Sequence, residues 1–383
     1  MVRWLLILFL KENDMKQLVH TPDGVRDIYG EEFLRKVMIE NKIKDVIKLY
    51  GYEDIATPTF EYFDVFSKEI GTTPSKDLYK FFDKDGNTLV LRPDFTPSVA
   101  RCVAKYFDEE KDPIRLTYCG NTFVNNSSLQ GKLKEVTEIG CELMNDSSVE
   151  ADAEILNLVI ESLLSSGLKD FQISVGEMNF FKGLCEYAGM DTESELLLRE
   201  AISTKNSFTA HEMINSLSCD EDAKEQLNMC VNCIGGIEKI SSLKDKITNE
   251  RSLNAIKRLE ELVEILKIYN TDSYVSFDLG MLSKYNYYTG IIFKAYTYGL
   301  GDALVKGGRY DNLLESFGSS KPAVGFVVVI DDLLMALRGQ HILPDVSKQK
   351  TILEYGPADY EETVKKAQKL RKEGKAVTLI KRS

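Results

Sequence analysis

Strand patterns on both sides of a long helical block limit the folds open to this 383-residue chain. Short apolar runs typical of strands occur between residues 88 and 175, and similar runs return between 275 and 330. The first set includes a strand predicted over Glu135–Met144, which is followed by helical spacing over Val149–Leu164. From about residue 180 to 270, apolar residues recur at helical spacing instead. The pattern predicts an α+β fold, with an antiparallel sheet flanked by helices and interrupted by a helical insertion.

The same patterns divide the chain into three expected parts. Residues 1–14 contain an apolar run that lacks a signal-peptide cleavage site and is too short to span a bilayer. We therefore expect an upstream extension ahead of a start at Met15, with a signal peptide as the alternative. Residues 15–345 are expected to form the main domain. The pattern over residues 346–383 predicts a strand, a helix and a strand. So few residues cannot form a well-buried domain alone, and we therefore expect an appendage or a remnant.

Composition argues against several classes of protein. The formal net charge is −12, so a broad cationic surface for nucleic acid is not expected. The seven cysteines follow no disulfide-framework spacing and fit a reducing cytoplasm. Cys230 and Cys233 have redox-motif spacing, but the three histidines lie far apart and zinc requires four ligands. We therefore expect no metal site and interpret this cysteine pair as buried or incidental.

Two acidic segments carry side chains suited to an amino-acid ligand. In LRPDFTP, the Asp94 carboxylate and the Thr96 hydroxyl lie two residues apart, so an extended chain points both to one side, where they can hold an ammonium group. A helix cap at Thr96 is the structural alternative. Glu138 and Glu142 share one face of a predicted strand and suit a cationic ligand. Pairing of these two with surface lysines is the alternative.

Aromatic residues and glycines form another candidate constellation. YNYYTG contains Tyr287 and Tyr288, which can pack around a planar ring. KGGRYD contains Gly307 and Gly308, which let the backbone approach a ligand closely. A hairpin with both glycines in its turn is the alternative. The length of the combined pattern favours a ligand site.

Together these segments resemble the catalytic core of class II aminoacyl-tRNA synthetases, the histidyl enzymes in particular, over about residues 21–334. The family's first motif, which forms the dimer interface, is similar to the helix predicted over residues 31–50 and the strand predicted over residues 52–60, which includes Pro58. The resemblance implies that Asp94 and Thr96 bind the amino group of histidine. It also implies that Glu142 and Tyr288 recognise the imidazole. The further candidate histidine-binding residues that it implies are Glu138, Tyr287, Gly307 and Gly308.

The sequence departs from the synthetase pattern where arginines are expected. Val124, Ser283 and Asp332 occupy positions at which the family has arginines that contact the nucleotide or the substrate carboxylate. Charge that builds on a reacting triphosphate needs fixed cations, so adenylate formation is not expected. Lys284 lies beside Ser283 but cannot reproduce a bidentate guanidinium. Glu138 replaces a glutamine and would repel a substrate carboxylate.

This combination resembles the regulatory subunits of ATP phosphoribosyltransferase, synthetase-like proteins of histidine biosynthesis. The resemblance implies a protein that is not an enzyme by itself and carries no cofactor. It implies a cytoplasmic homodimer that joins a short catalytic subunit in a hetero-octamer and mediates feedback by histidine. It also implies no contact with tRNA or a membrane. A divergent histidyl-tRNA synthetase and another synthetase-like amino-acid-binding protein are the alternatives.

Overall fold

The computed structural model describes residues 19–66, 73–126, 132–283, 287–346 and 351–382. The expected extension at residues 1–14 and Lys284 lie outside these ranges. The chain divides into two compact units. The larger comprises Lys36–Leu343 with the residues before Ile28, and the smaller comprises Ile28–Arg35 and Pro344–Ser383.

The central sheet of the larger unit has nine strands within the described part of the chain. The strands of this unit are β1 (Glu53–Asp54), β2 (Phe60–Tyr62), β3 (Lys80–Phe82), β4 (Thr88–Leu91), β5 (Ile114–Phe123), β6 (Glu135–Met144), β7 (Gln172–Glu177), β8 (Ile234–Gly235), β9 (Val275–Asp278), β10 (Ile291–Tyr296), β11 (Val305–Arg309) and β12 (Ala323–Val329). Their order in the central sheet is β1-β5-β6-β12-β11-β10-β7-β9-β8, and β2-β4-β3 form a separate antiparallel sheet. Pairing in the central sheet is antiparallel except between β1 and β5 and between β7 and β9.

Helices cover the sheet and make up most of the insertion. They are α1 (Gly30–Leu49), α2 (Thr96–Tyr106), α3 (Val149–Ser166), α4 (Met178–Tyr187), α5 (Thr192–Ser203), α6 (Ser207–Ser216), α7 (Glu221–Val231), α8 (Ile237–Ser241), α9 (Glu250–Tyr269) and α10 (Ile330–Gly339). Helices α4 to α9 follow one another between β7 and β9, with only the two-residue β8 among them. The predicted helical insertion is therefore present, and β8 is an addition that the helical pattern did not predict.

Helix α3 shows how local sequence and core packing agree. The Ser148 side chain caps its start by accepting the N–H of Ala151, and Gly167 ends it in the left-handed region at φ 103°. Its fully buried side chains include Ile155, Leu156, Val159 and Leu163. These pack against β12 and α9 in the main hydrophobic cluster, so one face of the sheet is closed to solvent.

The strand predicted over residues 52–60 is wrong in its second half. Strand β1 ends at Asp54, and the chain is irregular until β2 begins at Phe60. Arg92 explains the break, because its guanidinium donates to the carbonyl oxygens of Thr57 at 2.9 Å and Pro58 at 3.4 Å. Those carbonyls therefore serve a side chain rather than a neighbouring strand.

The smaller unit contains the predicted strand, helix and strand. Strands β13 (Thr351–Tyr355) and β14 (Val377–Lys381) pair in parallel, with α11 (Tyr360–Lys372) between them in sequence. Parallel strands are usually buried on both faces, yet Ile352 and Ile380 are exposed.

No helix among the described residues is long and apolar enough to cross a membrane.

Candidate functional site

The central sheet brings the predicted ligand-binding residues together on one face. Glu142 on β6 lies opposite Gly325 on β12, which in turn lies opposite Gly308 on β11. Side chains alternate along a strand, so Glu138 shares the face of Glu142. The residues that meet here, called the carboxylate site below, are Asp94, Thr96, Tyr118, Glu138, Glu142, Tyr287, Tyr288 and Tyr310.

Glu142 lies at the base of the carboxylate site and is 1% exposed. Its carboxylate accepts hydrogen bonds from the hydroxyls of Thr96 at 2.8 Å, Tyr118 at 3.0 Å and Tyr310. Burial raises its pKa to about 7, although the three hydroxyl donors oppose that rise. The alternative in which this glutamate pairs with a surface lysine is therefore wrong.

Asp94 and Thr96 reach the site from the start of α2. The Asp94 carboxylate accepts the backbone N–H of Thr96 at 2.9 Å, and the Thr96 hydroxyl turns to Glu142. Phe95 precedes the helix without a side-chain cap, so Thr96 is the first helical residue rather than its cap. The predicted grouping of Asp94 and Thr96 at one site therefore stands, although the chain at Thr96 is helical and not extended.

Glu138 lies four residues before Glu142 on β6, faces the same site and is partly accessible to solvent. Burial raises its pKa to about 8, with a further rise from the charge of Asp94. A hydrogen bond with the Thr122 hydroxyl and the charges of Lys306 and Arg92 oppose these effects only in part. At neutral pH, Glu138 therefore carries a proton for most of the time.

Aromatic rings form the wall of the carboxylate site. The rings of Tyr287 and Tyr288 lie 4.1 Å apart between centroids, and Tyr287 lies 5.9 Å from Tyr310. Gly308 allows this packing, because a Cβ at that position would lie 2.6 Å from the Tyr288 ring. The wall is suited to a small planar ligand.

Gly307 and Gly308 lie within β11 rather than in a turn, so the hairpin-turn alternative is wrong. Gly308 faces the carboxylate site, whereas Gly307 packs under the Phe293 ring on the other face. Sequence reasoning missed Tyr118, Tyr310 and Gly325. A glycine inside an apolar strand pattern signals close approach, and Gly325 in AVGFVVV carries that signal.

None of the three positions at which arginines are expected supplies a guanidinium. Val124 follows β5 and donates its N–H to Lys134 at 2.9 Å. Ser283 is buried at 6% exposure. Asp332 lies in the first turn of α10, and burial raises its pKa against the opposing charge of Lys306.

Arg92 is near the carboxylate site but is held by the backbone. Its Nε donates to the carbonyl oxygen of Asn121 at 2.8 Å, and its guanidinium stacks 4.0 Å from the Phe95 ring. Together with the bonds to Thr57 and Pro58, these contacts use most of its donors. Arg92 therefore holds the loop after β4 in place rather than pairing with an acid of the site.

No cluster of His, Cys, Asp or Glu side chains within the described ranges is arranged to hold a metal ion. Cys230 and Cys233 are both buried, and the Cys230 thiol donates to the carbonyl oxygen of Leu279 at 3.0 Å. Burial raises the pKa of both thiols. The interpretation of this pair as buried packing residues is confirmed.

Comparisons with known proteins agree with this geometry. Residues 24–333 match the family model described as histidyl-tRNA synthetase. An ATP phosphoribosyltransferase regulatory subunit from Ruminiclostridium cellulolyticum is 42% identical over 319 residues, which cover 83% of this chain and 76% of that protein.

Solved structures extend the comparison to the fold. A Bacillus halodurans protein described as an ATP phosphoribosyltransferase regulatory subunit/histidyl-tRNA synthetase is 32% identical, with a TM-score of 0.86. The match covers 95% of this chain and 93% of that one. Histidyl-tRNA synthetase from Nostoc sp. PCC 7120 is 19% identical with a TM-score of 0.79, over 95% and 86% of the two chains, and shows the fold alone. The predicted class II synthetase-like fold is confirmed, and the chain belongs to the family of ATP phosphoribosyltransferase regulatory subunits.

Proposed function

We propose that this chain activates a short ATP phosphoribosyltransferase catalytic subunit and makes the complex responsive to histidine, while forming no aminoacyl-adenylate itself. One observation carries the proposal. The amino-acid side of a synthetase site is assembled around Glu142, whereas Val124, Ser283 and Asp332 provide no guanidinium for a triphosphate. Such a site can bind a ligand but cannot stabilise the charge that adenylation develops.

The carboxylate site is the candidate site for a histidine-like ligand. Asp94 and the Thr96 hydroxyl are suited to an ammonium group, and Glu142 can accept an imidazole N–H. Tyr287 and Tyr288 supply the ring wall. Ligand binding would change the activity of the complex only if the ligand binds one conformational state of the complex more tightly than another.

Strand β11 offers a physical connection from this site to the opposite face of the sheet. Tyr310, just beyond the strand, bonds to Glu142, and its neighbour Arg309 bonds to Asp152 on α3. A ligand that shifts Glu142 would therefore act on a residue adjacent to the buried Arg309 ion pair. This contact chain is the route that we propose for coupling between the site and the helical face.

The assembly that we propose is a homodimer within a hetero-octamer with the catalytic subunit, in the cytoplasm and without tRNA. Pro58 is exposed, and the neighbouring small sheet exposes Phe60, Tyr62 and Phe82 by 53%, 58% and 72%. Exposed aromatic groups of this kind mark association surfaces and support a dimer contact there. All seven cysteines are free, which supports a reducing compartment.

The decisive experiment measures phosphoribosyl transfer to ATP by the catalytic subunit alone and after addition of this chain, across a histidine titration. We expect a gain of at least about tenfold on addition, and inhibition as histidine rises. An unchanged rate would contradict the proposal. ATP–pyrophosphate exchange with histidine, at a rate typical of a synthetase, would instead support the divergent-synthetase alternative.

A further inference from the structure

Asn179 connects the helical insertion to the ring wall that Tyr287 and Tyr288 form. Strand β7 ends at Glu177, and the Glu177 carboxylate caps α4 by accepting the backbone N–H of Asn179 at 3.2 Å. The Asn179 side chain donates to the same carboxylate at 3.1 Å. Because Glu177 is fully buried, this cap fixes both the backbone and the amide group of Asn179.

On one side, the Asn179 amide holds the backbone that carries the ring wall. Its Nδ2 donates to the carbonyl oxygen of Thr289 at 2.7 Å. The next peptide group is held as well, because the backbone N–H of Met178 donates to the carbonyl oxygen of Gly290 at 3.0 Å. Thr289 directly follows Tyr288 in the chain. The first turn of α4 therefore fixes the backbone one residue away from the ring wall.

On the other side, the same amide is bound by the insertion. Its Oδ1 accepts hydrogen bonds from the Nε of Arg251 at 3.0 Å and from the Nη2 at 2.8 Å. Arg251 lies in the first turn of α9, the last helix of the insertion. The two helices are in close contact there, because the Ser252 hydroxyl donates to the carbonyl oxygen of Phe180 at 2.9 Å. A displacement of α9 would therefore displace Asn179.

The hydrogen-bonding capacity of the Asn179 amide is fully used by these partners. Its two N–H donors serve Thr289 and Glu177, and its oxygen accepts two bonds from Arg251. One amide group thus contacts both the backbone of the ring wall and the insertion. Replacement by a side chain without both donors and an acceptor would break this connection.

We propose that Asn179 is a positioning residue for the ring wall, and that its bond to Arg251 makes ligand affinity at the carboxylate site depend on the position of α9. The proposal rests on the ligand-binding role given above and adds a route of regulation separate from the one through Tyr310. A ligand that packs on Tyr288 binds best while the backbone at Thr289 is held in place. Coupling is reciprocal, so the bound ligand also stabilises the start of α9.

The first test is calorimetric titration of the full chain and its variants with L-histidine. We expect Asn179→Ala to bind about tenfold more weakly, because the Thr289 carbonyl loses its side-chain donor. Arg251→Ala should bind about threefold more weakly, since the bond from Asn179 to Thr289 remains. Lys257 is exposed on the same helix, so Lys257→Ala is the control and should keep the affinity of the unaltered chain.

A double-mutant cycle with Tyr288→Leu separates positioning of the ring wall from a general loss of structure. Once the Tyr288 ring is removed, Asn179→Ala should change the affinity by less than about twofold. Thermal unfolding checks that every variant folds. An equal loss in both backgrounds, or unchanged affinity in Asn179→Ala, would overturn the proposal.

Hydrogen exchange supplies a second readout that does not need the Tyr288 variant. Saturating L-histidine should slow exchange in the second turn of α9 by at least about threefold in the unaltered chain, and should not slow it in Arg251→Ala. Helix α6 is the control and should exchange at the same rate with and without the ligand. Unchanged exchange in α9 of the unaltered chain would show that the insertion is not coupled to the site.

The same measurements distinguish this inference from the proposed function. If L-histidine does not bind the unaltered chain at millimolar concentration, the ligand-binding role fails and this inference fails with it. If L-histidine binds the unaltered chain and Asn179→Ala equally well, only the positioning role of Asn179 is removed. Activation of phosphoribosyl transfer, measured without ligand, tests the proposed function independently of Asn179.

Discussion

Buried carboxylates occupy both faces of the central sheet, and the two groups differ in their partners. Asp152 on the helix-covered face is fully buried, with Arg309 2.7 Å from one carboxylate oxygen and Arg258 2.6 Å from the other. Glu142 on the opposite face is as deeply buried but is bound by hydroxyls alone. Burial raises the pKa of both acids, and only at Asp152 do two guanidinium groups oppose the rise.

The difference separates a structural ion network from the proposed binding site. Around Asp152 the donors are saturated: Arg309 also bonds to Asp311 and to the carbonyl of Asp146, and Arg258 bonds to the carbonyl of Ser148. That network is complete without a ligand, because its charges and hydrogen-bond donors already have partners. Glu138 and Glu142 have hydroxyl donors and no ion-pair partner among the described residues, so a ligand can supply interactions that the fold does not. A buried carboxyl group therefore stabilises the fold on one face, and on the other face it belongs to the site that we propose for a ligand.

The largest effect should come from breaking the saturated network. Asp152→Asn leaves the Arg309 guanidinium, which is 3% exposed, without its charged partner. We expect a loss of about 3–5 kcal/mol in the free energy of unfolding, measured by urea denaturation. Glu361→Gln is the control, because its pair with Lys365 is exposed and should matter by less than about 0.5 kcal/mol. Similar losses in the two variants would break the comparison.

A smaller effect should follow from crowding the unsaturated site. In Gly325→Ala the new Cβ would overlap the Glu142 carboxylate, so Glu142 must move away from its hydroxyl donors. We expect a loss of about 1–3 kcal/mol in unfolding free energy, together with loss of histidine binding. Gly339→Ala has no atom near its new Cβ and should change neither quantity measurably. Retained ligand binding in Gly325→Ala would show that Glu142 is not part of the site.

The smallest expected effect is a pH dependence of stability. Unfolded glutamates have a pKa of about 4.5, whereas the folded values are raised to about 8 for Glu138 and about 7 for Glu142. The folded protein therefore binds more protons between these values, and their contribution to stability, complete below about pH 4.5, is lost as pH rises. Between pH 7 and pH 8 we expect a fall of about 1 kcal/mol.

Denaturant titrations at several pH values measure this slope. Glu138→Gln removes one of the two groups, so it should flatten the pH dependence. The control is Glu193→Gln, at an exposed position on α5, which should leave the slope unchanged. If the unfolding free energy instead rises over the same pH range, cations must pair with these glutamates. The comparison between the two faces would then fail.

Local pattern predicted most of the elements. The alternation in Glu135–Met144 predicted β6 with its observed bounds, and the spacing after Val149 predicted α3 to within two residues of its end. Local pattern did not predict the structure where it depends on a side chain distant in sequence. The carbonyls near Pro58 bond to Arg92, more than thirty positions along the chain, and no local pattern contains that contact. The same limit applies to Thr96, whose hydroxyl partner Glu142 lies on another strand.

By itself, the sequence determined which side chains are available: the carboxylates, tyrosines and glycines of the site, and the missing arginines at Val124, Ser283 and Asp332. These follow from residue identity and spacing. Only the tertiary structure decided which acids are neutralised, because Asp152 meets Arg258 and Arg309 through folding, whereas Glu142 meets only hydroxyls. Electrostatic energy depends on distance and burial in three dimensions, and the order of residues alone specifies neither quantity.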